Sequence, residues 1–152
     1  MASYLADTNL LLRLADTASP QHAVATNAIS RLLSQGDEVH LTPQNFIEFW
    51  AVATRPVEAN GFGWTSARTA REVADLQERF PLLPDSPEIF THWLELVKQW
   101  PVRGKRVHDA RLVAVLLAHA VEHLLTFNTS DFNSFPTLSL IDPYSVVNPP
   151  GE

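Results

Sequence analysis

YLADTNLLLRLA, residues 4–15, decides the fold. Tyr4 to Ala6 is a short apolar run of strand type cut off by Asp7, and Asn9 to Ala15 can start a helix at once. A strand therefore passes into a helix across one acidic residue, and the same alternation continues to the far end of the chain. Ser19-Pro20 marks a helix start, with the helix running through Ala23, Ile29, Leu32 and Leu33 and closing at Gly36. Glu38 to Leu41 reads as the second strand. Thr42-Pro43 repeats the cap-then-proline signal for a helix carrying Phe46, Ile47, Phe49, Trp50 and Val52. Arg55 to Trp64, with Pro56, Gly61 and Gly63, reads as a surface loop. Thr65 opens a helix to about Phe80, and Asp85 to Glu88 resembles a capping box for a helix through Trp93, Leu96 and Val97 to about Trp100. A third strand is predicted near Pro101 to Val107 and a buried helix over Ala110 to Val121, apolar nearly all round. The last two strands are predicted at Leu124 to Phe127 and Leu138 to Ile141.

The expected fold class is α/β, a three-layer α/β/α sandwich around a central, mostly parallel sheet of about five strands. It occupies one domain over residues 1–142, and the proline-rich tail 143–152 trails along the surface or meets a partner. With 152 residues there is no room for a second catalytic domain. The absence of Cys excludes disulfide scaffolds, thiol nucleophiles, Fe–S clusters and every Cys-containing zinc site. The 6 His show no HExxH-like spacing. No basic segment precedes the first apolar stretch, and Arg13 and Asp16 end it early, so neither a signal peptide nor a membrane span is expected and the expected location is cytoplasmic. Lys+Arg 11 against Asp+Glu 17 gives a net charge of −6, which argues against broad electrostatic capture of nucleic acid. A local basic patch, or cations on acidic groups, would reverse that locally.

Four acids fall at element boundaries: Asp7 after the first strand, Glu48 in the helix after the second, Asp109 at the start of the buried helix and Asp131 after the fourth strand. Strand carboxyl ends in a parallel sheet share one edge, where ligands bind, so these residues converge although distant in sequence. Two carboxylates about 5 Å apart repel by roughly 3 kcal/mol at an effective dielectric near 20, so a cluster of them sheds charge or recruits a divalent cation. Oxygen-only ligands favour magnesium or manganese. Such an ion acidifies water and neutralises phosphodiester oxygens, which suits hydrolysis without a covalent intermediate. Each acid also has a plain role open to it: Asp7 as a helix N-cap, Glu48 as a surface residue, Asp109 as a first-turn acid and Asp131 as a turn residue. Asn9, Thr8, Asn128 and Thr126 lie close enough in sequence to line the same edge, as supporting donors or as ordinary turn and strand-end residues.

DTNLLLRL, the Glu in NFIEFW, HDARLVA and LLTFNTSDF together resemble the PIN domain, and within it the VapC-type toxins of bacterial toxin–antitoxin pairs. The resemblance covers nearly the whole chain in the right order. It implies a parallel-sheet α/β/α fold and an endoribonuclease that uses Mg2+, with Mn2+ as a substitute. It carries the acidic site onto Asp7, Glu48, Asp109 and Asp131, with Asp7 and Asp109 as direct metal ligands. It further implies an RNA substrate, a cognate antitoxin protein filling the active-site groove, and a homodimer. Arg103, Lys105 and Arg106, followed by His108 and Arg111, place positive charge just before Asp109, as phosphate positioning requires; the plain alternative is a solvated strand and helix end. Arg55 with the Asn60–Trp64 loop offers aromatic stacking for unpaired bases, or else Phe62 and Trp64 pack into the core or a second subunit.

Other readings remain beside this one: a PIN nuclease of RNA processing that is not a toxin, and a non-catalytic module whose acidic edge binds a cation or a peptide. A phosphatase with Asp7 as covalent nucleophile normally wants a second Asp two residues on, where this chain has Asn9. A receiver-like module wants a late Lys, and no Lys follows Lys105.

Overall fold

The computed structural model describes residues 1–135 and 137–151. Pro136, inside the expected domain, and Glu152, at the end of the expected tail, lie outside the described residues. Four strands, β1 (Ser3–Ala6), β2 (Glu38–His40), β3 (His123–Leu125) and β4 (Leu140–Ile141), form one sheet in the order β2-β1-β3-β4 with every pairing parallel. Tyr4 stands beside Val39 and His123, Ala6 beside Leu125, and Leu125 beside Ile141. Parallel neighbours need crossovers, and among the described residues seven α-helices supply and surround them: α1 (Thr8–Ala15), α2 (His22–Ser34), α3 (Pro43–Thr54), α4 (Ser66–Arg79), α5 (Pro87–Gln99), α6 (Arg106–Ala118) and α7 (Pro143–Val147).

Side-chain alternation along β1 divides the core in two, because successive residues of a strand face opposite sides. Tyr4 and Ala6 join Leu10, Ile29, Leu32, Phe49 and Leu76 from α1 to α4. Leu5 joins Ile89 from α5 and the Ala110–Leu116 run of α6. The sheet is therefore the middle layer of an α/β/α sandwich. The nearly all-round apolar character of α6 is explained by burial: Ala110 and five consecutive residues, Leu112 to Leu116, are buried. Among the described residues no helix is long and apolar enough to cross a membrane.

The strand predicted at Pro101 to Val107 does not form. Gly104 turns the chain at φ 59°, and α6 begins at Arg106, four residues before the helix expected from Ala110. Trp100 and Val102 pack instead against the second core cluster. A different segment supplements the sheet: Leu82 makes a single parallel bridge with Leu41 at the outer side of β2, with Leu83 N–H donating to the Leu41 carbonyl at 2.7 Å. Two helix starts also differ in detail, one being α5, which begins at Pro87 with Ser86, not Asp85, at the cap position. At Ser19-Pro20 a turn forms first, with the Ser19 hydroxyl accepting from Gln21 N–H at 3.1 Å, and α2 begins at His22. The Thr42-Pro43 signal marks the actual start of α3. In the expected tail, residues 143–147 are the helix α7; Asp142 caps it, Pro143 is buried, and Val146 packs against the first cluster.

Candidate functional site

Asp7 is carried by the end of β1, Glu48 by α3, Asp109 by the first turn of α6 and Asp131 by the 3-10 turn after β3. Asp7 follows β1 directly and its N–H donates to the Leu125 carbonyl at 2.9 Å, continuing the β1–β3 ladder by one step. One carboxylate oxygen accepts from Thr8 N–H at 2.7 Å, the other from the Thr126 hydroxyl at 2.8 Å. The plain reading of Asp7 as the cap of α1 is thus true of one oxygen, while the other is tied across the sheet to the end of β3. Asp7 is only 8% exposed. Burial pushes its carboxyl up to about 6, against the Thr126 and Thr8 hydrogen bonds that favour the charged form, and repulsion from Asp109 and Glu48 adds to the rise.

Thr126 is the hub of this edge. Its hydroxyl donates to Asp7 and accepts from the Asn9 side chain at 3.3 Å and from Asn128 N–H at 3.0 Å. Asn9 in turn accepts from Phe127 N–H at 3.4 Å. Asn128 reaches the site through its backbone; its residue is exposed. Thr8 is buried and its hydroxyl donates to Glu48 at 2.7 Å while accepting from Asn45 at 3.1 Å.

Glu48 is held on its other oxygen by Gln44, one helical turn earlier, at 3.2 Å. The same Gln44 amide donates to the His108 carbonyl at 2.8 Å, and its oxygen accepts from Arg111 at 3.1 Å. Arg111 is paired at its far end with Asp85 at 3.2 Å. Gln44, Ile47, Glu48, Asp85, His108 and Arg111 line one recess of about 440 Å³. Asp109, in the first turn of α6, and Asp131, in the 3-10 turn Thr129–Phe132, complete the set. A single nitrogen, Nη1 of Arg106, stands 3.3 Å from Asp109 and 2.7 Å from Asp131. Burial raises the Asp109 carboxyl pKa, the Arg106 hydrogen bond opposes that, and Asp131 and Glu48 reinforce it.

The predicted basic residues divide. Arg106 and Arg111 lie within the site and are engaged with carboxylates. Arg103 and Lys105 are exposed on the turn before α6, and Arg103 lines a recess of about 270 Å³ with Arg106 and Asp131. Arg55 is elsewhere: it caps the C-terminal end of α3, roughly 10 Å further along the helix axis than Glu48 at the usual helical rise. The aromatics of its loop turn inward, so the stacking platform expected there is not offered. Trp64 packs edge-on to Phe49 and against Phe62, and the Arg68 guanidinium covers its ring at 4.1 Å.

Sequence reasoning missed Gln44, Asn45 and Asp85. Gln44 was findable, since it lies four residues before Glu48 and so on the same helical face. Asn45 was findable as the third helical residue after Thr42-Pro43, where a side chain returns to the cap; it accepts from Thr42 N–H at 2.9 Å and donates to the Ala6 carbonyl at 3.1 Å, locking α3 to the end of β1. Asp85 carries a local signal only for helix capping and none for this ion pair, because its partner Arg111 is on another helix.

As a donor set these groups suit a hard cation, being carboxylate and hydroxyl oxygens without sulfur. Among the described residues no three His, Cys, Asp or Glu side chains form a ready metal cage. That is compatible with magnesium, which is commonly held by one or two carboxylates with water filling the remaining positions.

The chain also resembles known proteins over most of its length. A structure of VapBC2 from Rickettsia felis bound to a promoter DNA fragment superposes with a TM-score of 0.70 at 15% identity, covering 92% of this chain and 98% of that one. VapBC-1 from nontypeable Haemophilus influenzae gives 0.68 at 20% identity, covering 93% and 98%. VapC20 from Mycobacterium tuberculosis, described as a sarcin-ricin-loop-cleaving toxin, gives 0.65 at 15% identity, covering 87% and 95%. No curated protein sequence matches the chain. The PIN domain pattern matches residues 4–137, and the chain belongs to the PIN domain family.

Proposed function

We propose that this protein is a Mg2+- or Mn2+-dependent endoribonuclease, the toxin of a toxin–antitoxin pair acting in the cytoplasm. The observation that carries the reading is the gathering of four acids from distant segments: Thr8 holds Asp7 through its N–H and Glu48 through its hydroxyl, and one Arg106 nitrogen holds both Asp109 and Asp131, while burial first and the neighbouring acids second raise the Asp7 and Asp109 carboxyls. Repulsion of that kind is kept in a fold where a cation is to be received. Asp7 and Asp109 are the ion's direct ligands in this reading, and Glu48 and Asp131 orient water or ligands. When bound, the ion supplies Lewis-acid neutralisation of the phosphodiester and acidifies water.

The chain's own residues do the rest. Thr126 and Thr8 N–H hold the Asp7 carboxylate in one orientation, and Gln44 with Thr8 does the same for Glu48. Arg111 sits over the recess beside Glu48, positioned by Gln44 and Asp85 to meet a phosphate. Arg103 and Lys105 extend the basic rim for the flanking backbone of an RNA strand.

The partner side of the proposal rests on apolar exposure next to the acids. Ile47 is 70% exposed and lines both the acidic recess and an apolar hollow with Phe46, Trp50 and Ala51. An antitoxin segment covering that surface would also shut the recess, and toxin–antitoxin assemblies are what several structural neighbours are described as. Phe90, 63% exposed on the outer face of α5, suits pairing with a second copy.

RNA cleavage by the purified protein in magnesium, with chelator controls, tests the reading. The parent cuts and the chelator stops it, while Asp7→Asn and Asp109→Asn are inactive although folded. Equal cleavage by either variant overturns the assignment.

A further inference from the structure

Arg106 holds a position that nothing in the proposed reaction accounts for. It is the third residue before Asp109 in α6, and it reaches both Asp109 and Asp131 with the same nitrogen, at 3.3 and 2.7 Å. Those two carboxylates come from different elements, a helix and a 3-10 turn 22 residues later in the chain. A positive nitrogen shared by two carboxylates does for them what a bridging cation does. It neutralises the pair and keeps them together. The other cations near the site are differently placed. Arg111 is turned toward Gln44 and Asp85, and among the described residues neither Arg103 nor Lys105 has a carboxylate partner.

We propose that Arg106 is a built-in competitor for the divalent cation: it occupies the Asp109–Asp131 pair in the ion-free protein, is displaced when the ion enters, and is then free to take a phosphate oxygen. This rests on the metal-dependent reading above and deepens it by coupling ion loading to substrate capture. The exchange is inexpensive because Arg106 is 44% exposed in its side chain, so its guanidinium leaves toward solvent without crossing the core. Its seat at the mouth of the Arg103–Asp131 recess puts the released group on the side where the exposed basic residues lie. An ion pair this exposed is weak enough to be exchanged and strong enough to register as competition.

Calorimetric titration with manganese chloride, on the full chain without RNA, tests this. Arg106→Gln should bind manganese about fivefold more tightly than the parent, the scale set by an exposed pair. Arg103→Gln removes the same charge without touching the carboxylates and should change affinity by less than about twofold. A second readout is independent of affinity: in guanidinium-resolved NMR, the Arg106 signal should move from paired toward free as diamagnetic magnesium is added, with the Arg111 signal unmoved. If the parent and Arg106→Gln bind manganese equally, or the variant binds it more weakly, Arg106 is not a competitor and the metal-dependent reading survives. If Arg103→Gln tightens binding as much as Arg106→Gln, the effect is general charge and the proposal falls. If no protein takes up manganese, both this proposal and the metal-dependent reading fall together.

Discussion

Asp7→Asn should make the ion-free protein more stable at neutral pH, although it removes the residue at the centre of the site. The Asp7 carboxyl is buried, and its pKa moves from an ordinary 3.8 to about 6. For an acid whose folded value is raised, the folded state binds more protons than the unfolded one between those two values, so stability falls as pH rises through that window and stays low above it. Raising a carboxyl from 3.8 to about 6 corresponds to roughly 3 kcal/mol of destabilisation at pH 7. Asparagine removes that charge but cannot accept from both Thr8 N–H and the Thr126 hydroxyl, and losing one such bond costs about 1 kcal/mol. The net gain expected is about 2 kcal/mol above pH 7, a Tm rise of about 4–8 °C for a domain of this size. By pH 4 the parent's carboxyl is almost fully protonated when folded and about two-fifths protonated when unfolded, so most of the charge penalty is gone and the variant is level or slightly worse. Urea unfolding of both proteins in chelator-containing buffer at pH 4, 6 and 7.5 gives the three values needed. A variant less stable than the parent at pH 7.5, or an advantage that persists unchanged to pH 4, refutes the argument that burial and neighbouring acids load this carboxylate.

Divalent cations should narrow the same difference, because manganese raises the parent's Tm and leaves Asp7→Asn unmoved in the same melt; a rise of equal size in both would place the ion elsewhere. Thr126→Val removes the donor to Asp7 and the acceptor for Asn9 and Asn128 in a fully buried position, at an expected cost of about 1–3 kcal/mol by urea titration, and the loss should be larger at pH 7.5 than at pH 4 because the charged carboxylate needs that donor most. Gly61→Ala should be destabilising by about 1–3 kcal/mol in thermal melts, since a Cβ there would lie 2.0 Å from the Arg55 carbonyl oxygen, a backbone atom that must move to admit it. A neutral Gly61→Ala would mean that the Arg55–Trp64 loop is looser than its contacts imply.

What was legible in the sequence was short-range. The Tyr4-to-Asp7 strand end and the Thr42-Pro43 helix start are set by neighbours within a turn or two, where periodicity and caps act, and those elements stand where they were expected, while the apolar run of α6 is helical as expected but its helix starts earlier, at Arg106. The expectation that Asp7 and Asp131 share one edge rested on the rule that parallel strands end on the same side, and both do follow strands, whereas Asp109 follows no strand and is carried by the first turn of α6. The segment from Pro101 to Val107 misled because Val102 and Val107 look strand-like in isolation, whereas Gly104 turns the chain and Arg106 already belongs to α6. Phe62 and Trp64 were ambiguous for the same reason, since only the positions of Phe49 and Arg68 decide that the rings face inward.

Sequence alone, then, determined the layered parallel fold and the acidic character of its carboxyl edge. Tertiary structure alone decided how that charge is managed: Thr126 tied to Asp7 across 119 residues, Gln44 joining Glu48 to Arg111, and one Arg106 nitrogen shared between Asp109 and Asp131. Helix and strand periodicities are local and can be read in one dimension. Burial and ion pairing depend on distances of a few ångströms between residues far apart in the chain, and those distances exist only after folding.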